Sequence, residues 1–231
     1  MRYARSLGLV ASLSVLAGPA GATILDRPTL RQMVEQADLV FEGVVTDVVY
    51  RNSTVVGPDD ADLPHTFVTF AVERSFKGRS AAGATIVLRL MGGLKADDLL
   101  LAVSGVPTFE PGDRELLFVR GNGTDLCPLV GWEYGRFNQD ESHVLRADDE
   151  LWLDAADELA GPPGADASTP PPIGARPATP GELAALVDHR VRERYGDDEL
   201  AHLPASPSAD PSALFRVRRF REHAPPADAG E

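Results

Sequence analysis

Residues 106–137, VPTFEPGDRELLFVRGNGTDLCPLVGWEYGRF, constrain the fold more than any other stretch of the chain. They contain two strand-like runs, 115–119 and 129–134. A Pro-Gly-Asp turn precedes the first run, and Gly121-Asn122-Gly123 leads into the link between them. Turn residues punctuating short β-branched and aromatic runs are the local signature of antiparallel pairing. The stretch also carries the only cysteine, Cys127, and one of the two tryptophans, Trp132. It reads as the core hairpin of a β domain.

The segments before it have the same character. Residues 39–50, LVFEGVVTDVVY, are rich in valine and interrupted only by Gly43, and a glycine inside a strand marks a bulge or bend. In residues 65–76 Val68, Phe70 and Val72 alternate with Thr69, Ala71 and Glu73, as a half-buried strand requires. Residues 85–91 form a third strand, 99–103 a short one, and 143–146 with 151–153 flank a turn at 147–150 as a last hairpin. About six or seven strands with regular turn signals predict a mainly β fold, a small barrel of the oligonucleotide/oligosaccharide-binding (OB) type. A capping box at Thr29-Leu30-Arg31-Gln32, with Leu30, Met33 and Val34 on one face, predicts a short helix covering one end of it.

Composition divides the chain. Arg2 and Arg5, the apolar run 7–16 and Ala20-Gly21-Ala22 make residues 1–22 a signal peptide cleaved near Ala22, so the expected destination is secreted or periplasmic. No later apolar run is long enough for an integral membrane span. Residues 23–160 form the β-barrel domain. Residues 161–180, dominated by Pro, Ala and Gly, form a linker that cannot bury a core. A helix over 181–196 follows, with Thr179 as N-cap, Pro180 at its first position and Glu182 completing a capping box. Leu183, Leu186, Val187 and Val191 share a face, and Gly196 stops it. That stripe docks either on the barrel or on another protein. Residues 197–231 are a mostly disordered tail with a basic segment, Arg216, Arg218, Arg219 and Arg221 interleaved with Leu214, Phe215, Val217 and Phe220. Self-docking or disorder suits so short a segment better than a membrane surface.

Charge and motif spacing exclude several chemistries. The formal charge is -13, and loss of Arg2 and Arg5 with the leader makes the mature chain more acidic still, which excludes nucleic acid as a partner. No His-Glu-x-x-His pattern exists among the five histidines, so no metal site is assigned. Asp59, Asp60 and Asp62 lack the glycine and distal glutamate of an EF-hand loop and read as a solvated turn. Ser104-Gly105 lacks the first glycine of a hydrolase elbow, and Gly121-Asn122-Gly123 lacks the lysine and helix of a phosphate loop. Asn52-Ser53-Thr54 and Asn122-Gly123-Thr124 match the glycosylation pattern but read as ordinary loops. Cys127 would need a histidine base, for which only His143 follows it within the barrel; its apolar neighbours favour burial over pairing with another chain. No catalytic residue and no cofactor are assigned. Carboxylate pairs of glycosidase type stay open, because their separation is a matter of fold.

Four segments in order, ADLVFEGVVTDV, HTFVTFAVERSFKG, SGVPTFEPGDRELLFV and LVGWEYGRF, resemble a family of uncharacterised exported bacterial proteins over roughly residues 37–140. Some relatives occur alongside matrixin-like metalloproteases, so the resemblance implies an extracellular metalloprotease as a partner. More distantly, the layout is similar to the barrel of the netrin-like modules and tissue inhibitors of metalloproteases. Those inhibitors chelate the protease zinc through an N-terminal cysteine, whereas the mature chain here would begin Thr23-Ile24-Leu25, and no inhibitory residue carries over. The signature positions are Phe109, Gly112, Asp113, Cys127, Trp132 and Gly135, mostly fold determinants, with the loop 121–128 the first place to look for contacts. The expected function is a secreted, non-enzymatic binding or interaction protein. The alternatives are a partner or inhibitor of an exported metalloprotease and an envelope polysaccharide hydrolase.

Overall fold

A computed structural model describes residues 27–54, 62–78, 80–94, 100–147, 149–154, 159–160 and 174–203. The stretch 1–22 expected to be a signal peptide, Asp59, Asp60, most of the expected linker and the basic segment lie outside the described residues. The fold is mainly β, with one short helix near its start and one helix after the last strand. In chain order the elements are α1 (Leu30–Gln36), β1 (Leu39–Thr54), β2 (Asp62–Lys77), β3 (Thr85–Met91), β4 (Gly93–Leu94), β5 (Leu100–Leu101), β6 (Arg114–Val119), β7 (Arg136–Gln139), β8 (Val144–Arg146), β9 (Asp149–Glu150), β10 (Trp152–Leu153), β11 (Leu159–Ala160), β12 (Arg176–Pro177) and α2 (Pro180–His202). A 3-10 turn, Trp132–Gly135, precedes β7. Among the described residues no helix is long and apolar enough to cross a membrane.

Seven strands form one antiparallel sheet in the order β3-β2-β1-β6-β7-β8-β9. Its end strands do not meet, so the expected closed barrel is replaced by an open sheet. Two features keep it open. First, β1 pairs with β6 only from Leu39 to Val44, although its pairing with β2 runs from Val40 to Thr54. Second, the outer edge of β3 is met by a loop, not a strand. Asn122 places its side-chain amide against β3, accepting from Arg89 N–H (3.2 Å) and donating from Nδ2 to Val87 C=O (2.8 Å), as a neighbouring peptide would. Met91 N–H then donates to Leu126 C=O (2.7 Å), and the buried Arg89 guanidinium donates through Nη2 to Gly123 C=O (2.7 Å). With φ of 61° at Gly121 and 93° at Gly123, this loop cannot extend into a strand. It still blunts an edge that would otherwise invite pairing.

The bend expected at Gly43 is present. Pairing of β1 with β2 slips between Val40 and Phe41, between Glu42 and Gly43, and again between Val45 and Asp47. A Cβ on Gly43 would lie 2.6 Å from the Ala71 carbonyl oxygen, so the strands approach too closely there for a side chain.

Run 129–134 is not a strand. Leu129 makes a single bridge to Val119, after which Gly131 and Trp132 both take left-handed φ values of 66° and 61°. The chain then turns through Trp132–Gly135, and β7 becomes the true antiparallel neighbour of β6. Gly135 is fixed by space: a Cβ there would sit 2.4 Å from the Val130 carbonyl oxygen.

Around β6 the sheet is buried on both faces. Along β6, Leu116 and Phe118 enter one core while Leu117 and Val119 enter the other, the period of two expected of a strand. The first core lies under the helices and joins Leu30, Met33 and Val34 of α1 to Leu183, Ala184, Val187 and Val191 of α2. The α2 stripe therefore docks on its own sheet. The helix breaks at Gly196 (φ 66°, ψ 165°), where a stop was expected, and resumes for a short run to His202. Both expected capping boxes form, at Thr29 with Gln32 and at Thr179 with Glu182. The second core contains Phe41, Phe70, Leu88, Phe109 and Cys127 on the opposite face.

Lys77 of the Phe-Lys-Gly segment fastens the helices to the sheet. It is buried, and its ammonium donates to Val34 C=O (2.8 Å), Ala37 C=O (2.6 Å) and the Tyr195 hydroxyl (2.6 Å). The first two are carbonyls that the end of α1 leaves without helical partners, where a cation is favoured. The third reaches α2, whose Tyr195 ring also faces the ammonium at 4.4 Å.

Candidate functional site

The turn 110–113 and the ends of β6 and β7 form one wall of a mainly polar cavity of about 410 Å³. The turn is built locally. Asp113 Oδ2 accepts from Glu110 N–H (2.8 Å), and Asp113 N–H returns to Glu110 C=O (3.1 Å). Gly112, with φ of 100°, then donates to Val45 C=O (2.8 Å), and Val45 N–H donates to Asp113 C=O (2.9 Å). The Pro-Gly-Asp motif thus extends the β6–β1 ladder by one step at the bulge of β1 that follows Val45.

Behind the wall lies a buried ion pair. Glu115 is fully buried, and its Oε1 accepts from Arg136 Nε (3.0 Å), Arg136 Nη2 (2.6 Å) and Asn138 Nδ2 (3.0 Å). Its Oε2 has no hydrogen-bond partner among the described residues. Burial pushes the Glu115 carboxyl above the usual carboxylate range, against the opposing pull of Arg136 and Asn138. Arg136 also donates to Thr108 C=O (2.7 Å), approaches Asp113 (3.5 Å) and stacks over Phe109 at 4.5 Å. Glu110, Asp113 and Glu133 line the cavity with Arg136 as its cation, so it carries an excess of negative charge.

A second, smaller and mainly apolar hollow of about 110 Å³ adjoins the first and shares Val106, Pro107 and Thr108 with it. Beyond it lies the ribbon of β4 and β5, in which Leu94 pairs with Leu100 and Gly93 with Leu101. Leu100 is 65% exposed, and Leu94, Leu101 and Tyr50 are exposed as well. These are four of the six exposed large apolar side chains among the described residues, gathered at one place.

The six signature positions divide. Phe109 and Asp113 meet at Arg136, and Gly112 shapes the turn beside them. Phe109 also packs edge-on against Phe70 at 5.6 Å, which anchors the cavity wall in the second core. Trp132 packs against that core, Gly135 fills a space only glycine fits, and Cys127 is buried within it. Burial raises the Cys127 thiol to about 12, so it stays protonated and unreactive. His143 is turned elsewhere, its Nδ1 near Ser142 Oγ (2.8 Å) and Asp140 (3.3 Å) on an exposed hairpin. The loop 121–128 serves the edge of β3.

Glu115, Arg136 and Asn138 were not singled out from the sequence. A signal existed: Glu115 has the same parity as Leu117 and Val119, so an inward-facing strand predicts an inward-facing carboxylate. Its partner was hidden because the run assigned next to β6 was the wrong one. Compared with known proteins, the chain matches no family model, no curated protein and no solved structure.

Proposed function

We propose that this protein is an exported binding protein whose contact surface combines the apolar β4–β5 ribbon with the acid-lined cavity beside it. The observation that carries this reading is the clustering of exposed Tyr50, Leu94, Leu100 and Leu101 next to a concave polar site. Grouped exposed apolar side chains rimmed by polar ones mark interaction surfaces. The partner that fits is a protein segment presenting apolar side chains with a lysine or arginine beside them, since the cavity lining is negative. An exported metalloprotease is one such partner to test directly. The hydrolase alternative draws no support from Glu115, the carboxyl that burial makes a weaker acid, because it is fully buried and tied to Arg136, out of a sugar's reach.

The test is capture from spent medium and envelope extract by the tagged chain lacking residues 1–22. The comparison is with the double variant Leu100→Asp/Leu101→Asp. A partner retained by the wild type and lost by the variant, with unchanged circular dichroism, supports the reading. Equal capture by both sinks it. Adding the protein to an exported metalloprotease in a peptide-cleavage assay decides whether that enzyme is the partner: no slowing at large molar excess excludes it.

A further inference from the structure

The outer half of β1 is an open sheet edge. From Asp47 to Thr54 it runs in unbroken register with β2. On its other side the last pair with β6 is Val44 with Arg114, and the last backbone bonds join Val45 to Gly112 and Asp113. Among the described residues, the backbone of 47–53 bonds to β2 alone. Proteins blunt such edges with charged side chains, proline, bulges or shortness. Residues 47–53 contain no proline, all three register shifts of β1 precede them, and their two charges, Asp47 and Arg51, are of opposite sign.

The side chains along this edge have a self-complementary order. Asp47 and Arg51 are exposed, and neither has an ion-pair partner among the described residues. Between them come half-buried Val48 and Val49 and exposed Tyr50. A two-fold axis through Val49 sets an antiparallel copy of this strand so that Asp47 faces the copy's Arg51 and Arg51 faces the copy's Asp47. Val48 then faces the copy's Tyr50, twice, and Val49 faces itself. Opposite charges and aromatic/β-branched pairs placed directly across strands are the favourable combinations, whereas like charges there repel. An isologous two-fold contact demands this arrangement, in which residue i meets j and j meets i.

We propose that the chain binds a second copy of itself through this edge, in antiparallel register centred on Val49, so that the sheet continues from one subunit into the next. The contact uses the strand edge, and of the surface assigned to another protein it shares Tyr50, whose ring borders the hollow beside β4. An extended peptide from a different protein would fit the backbone equally well, but nothing in it would require Asp47 and Arg51 to be symmetric about Val49.

Sedimentation equilibrium of the chain lacking residues 1–22 tests the proposal. Salt of about 0.2 M keeps the net negative charge of the copies from driving them apart. A dimer is expected at protein concentrations up to about 100 μM, the range of a small interface. Asp47→Arg alone and Arg51→Asp alone place like charges across the axis and should each weaken the dimer about tenfold or more. The double variant Asp47→Arg/Arg51→Asp should restore it, because the swap preserves complementarity. Val49→Cys should oxidise to a covalent dimer, with no background from Cys127, which is buried. A wild type monomeric throughout that range, a dimer indifferent to the single reversals, or a double variant that stays monomeric overturns the proposal.

Discussion

The two halves of β1 are similar in composition and opposite in circumstance. The inner half, Leu39 to Val44, pairs on both sides from Val40 onward and is buried on both faces, with Val40 under the helices and Phe41 in the opposite core. The outer half has one described neighbour and exposes Asp47, Tyr50 and Arg51. Both are valine-rich extended chain. Strand propensity reports that a residue suits a pleated surface, and is silent about how many strands flank it. The bulges at Gly43 and Val45 divide one strand into a structural part and an available part.

The largest test of that division removes one side chain from each half. Phe41→Ala should lower unfolding free energy by about 3–5 kcal/mol in urea titrations, because the ring is fully buried and packs edge-on against Phe70. Val49→Ala, half-exposed on the outer half, should cost less than about 1 kcal/mol in the same assay. Comparable losses would erase the distinction.

Next in size is the fastening at the inner end. Lys77→Met keeps the apolar stem but leaves the Ala37 carbonyl without its donor and the Val34 carbonyl with only the long bond from the Tyr195 hydroxyl (3.4 Å), at a cost of about 1–3 kcal/mol. Hydrogen exchange should show α1 opening before the sheet. Uniform loss of protection would mean that Lys77 serves the whole fold instead of the helix layer.

The smallest effect concerns Glu115, which pairs with Gly43 at the junction of the halves. Its folded carboxyl lies above its ordinary value of 4.5, so in that window the folded state holds a proton that the unfolded state has released. The Glu115 contribution therefore falls as pH rises through the window, and is most favourable at and below the ordinary carboxylate range. Unfolding free energies of wild type minus Glu115→Gln should decline from about pH 4.5 toward neutrality. A difference that grows with pH would show that the Arg136 ion pair outweighs burial.

Much of this was legible in local residue patterns. Both capping boxes, the bend at Gly43, the break at Gly196 and the burial of Cys127 follow from short-range chemistry that tertiary packing did not oppose. Run 129–134 misled because its valine, tryptophan and tyrosine suit a strand, yet Gly131 and Trp132 adopt left-handed backbone once Val130 is packed under the helices. The cavity stayed hidden for a related reason. Arg136 finds Glu115 across a strand pair that exists only after the 3-10 turn has reversed the chain.

The sequence by itself determined that this chain would be mainly β with a capped helix near each end, because periodicity and turn chemistry act within a few residues. Tertiary structure alone decided that the sheet stays open, that a loop asparagine substitutes for a strand beside β3, and that α2 covers its own sheet. Those outcomes depend on which distant segments meet, and the hydrogen-bonding capacity of an edge or the apolar stripe of a helix can be satisfied by more than one neighbour.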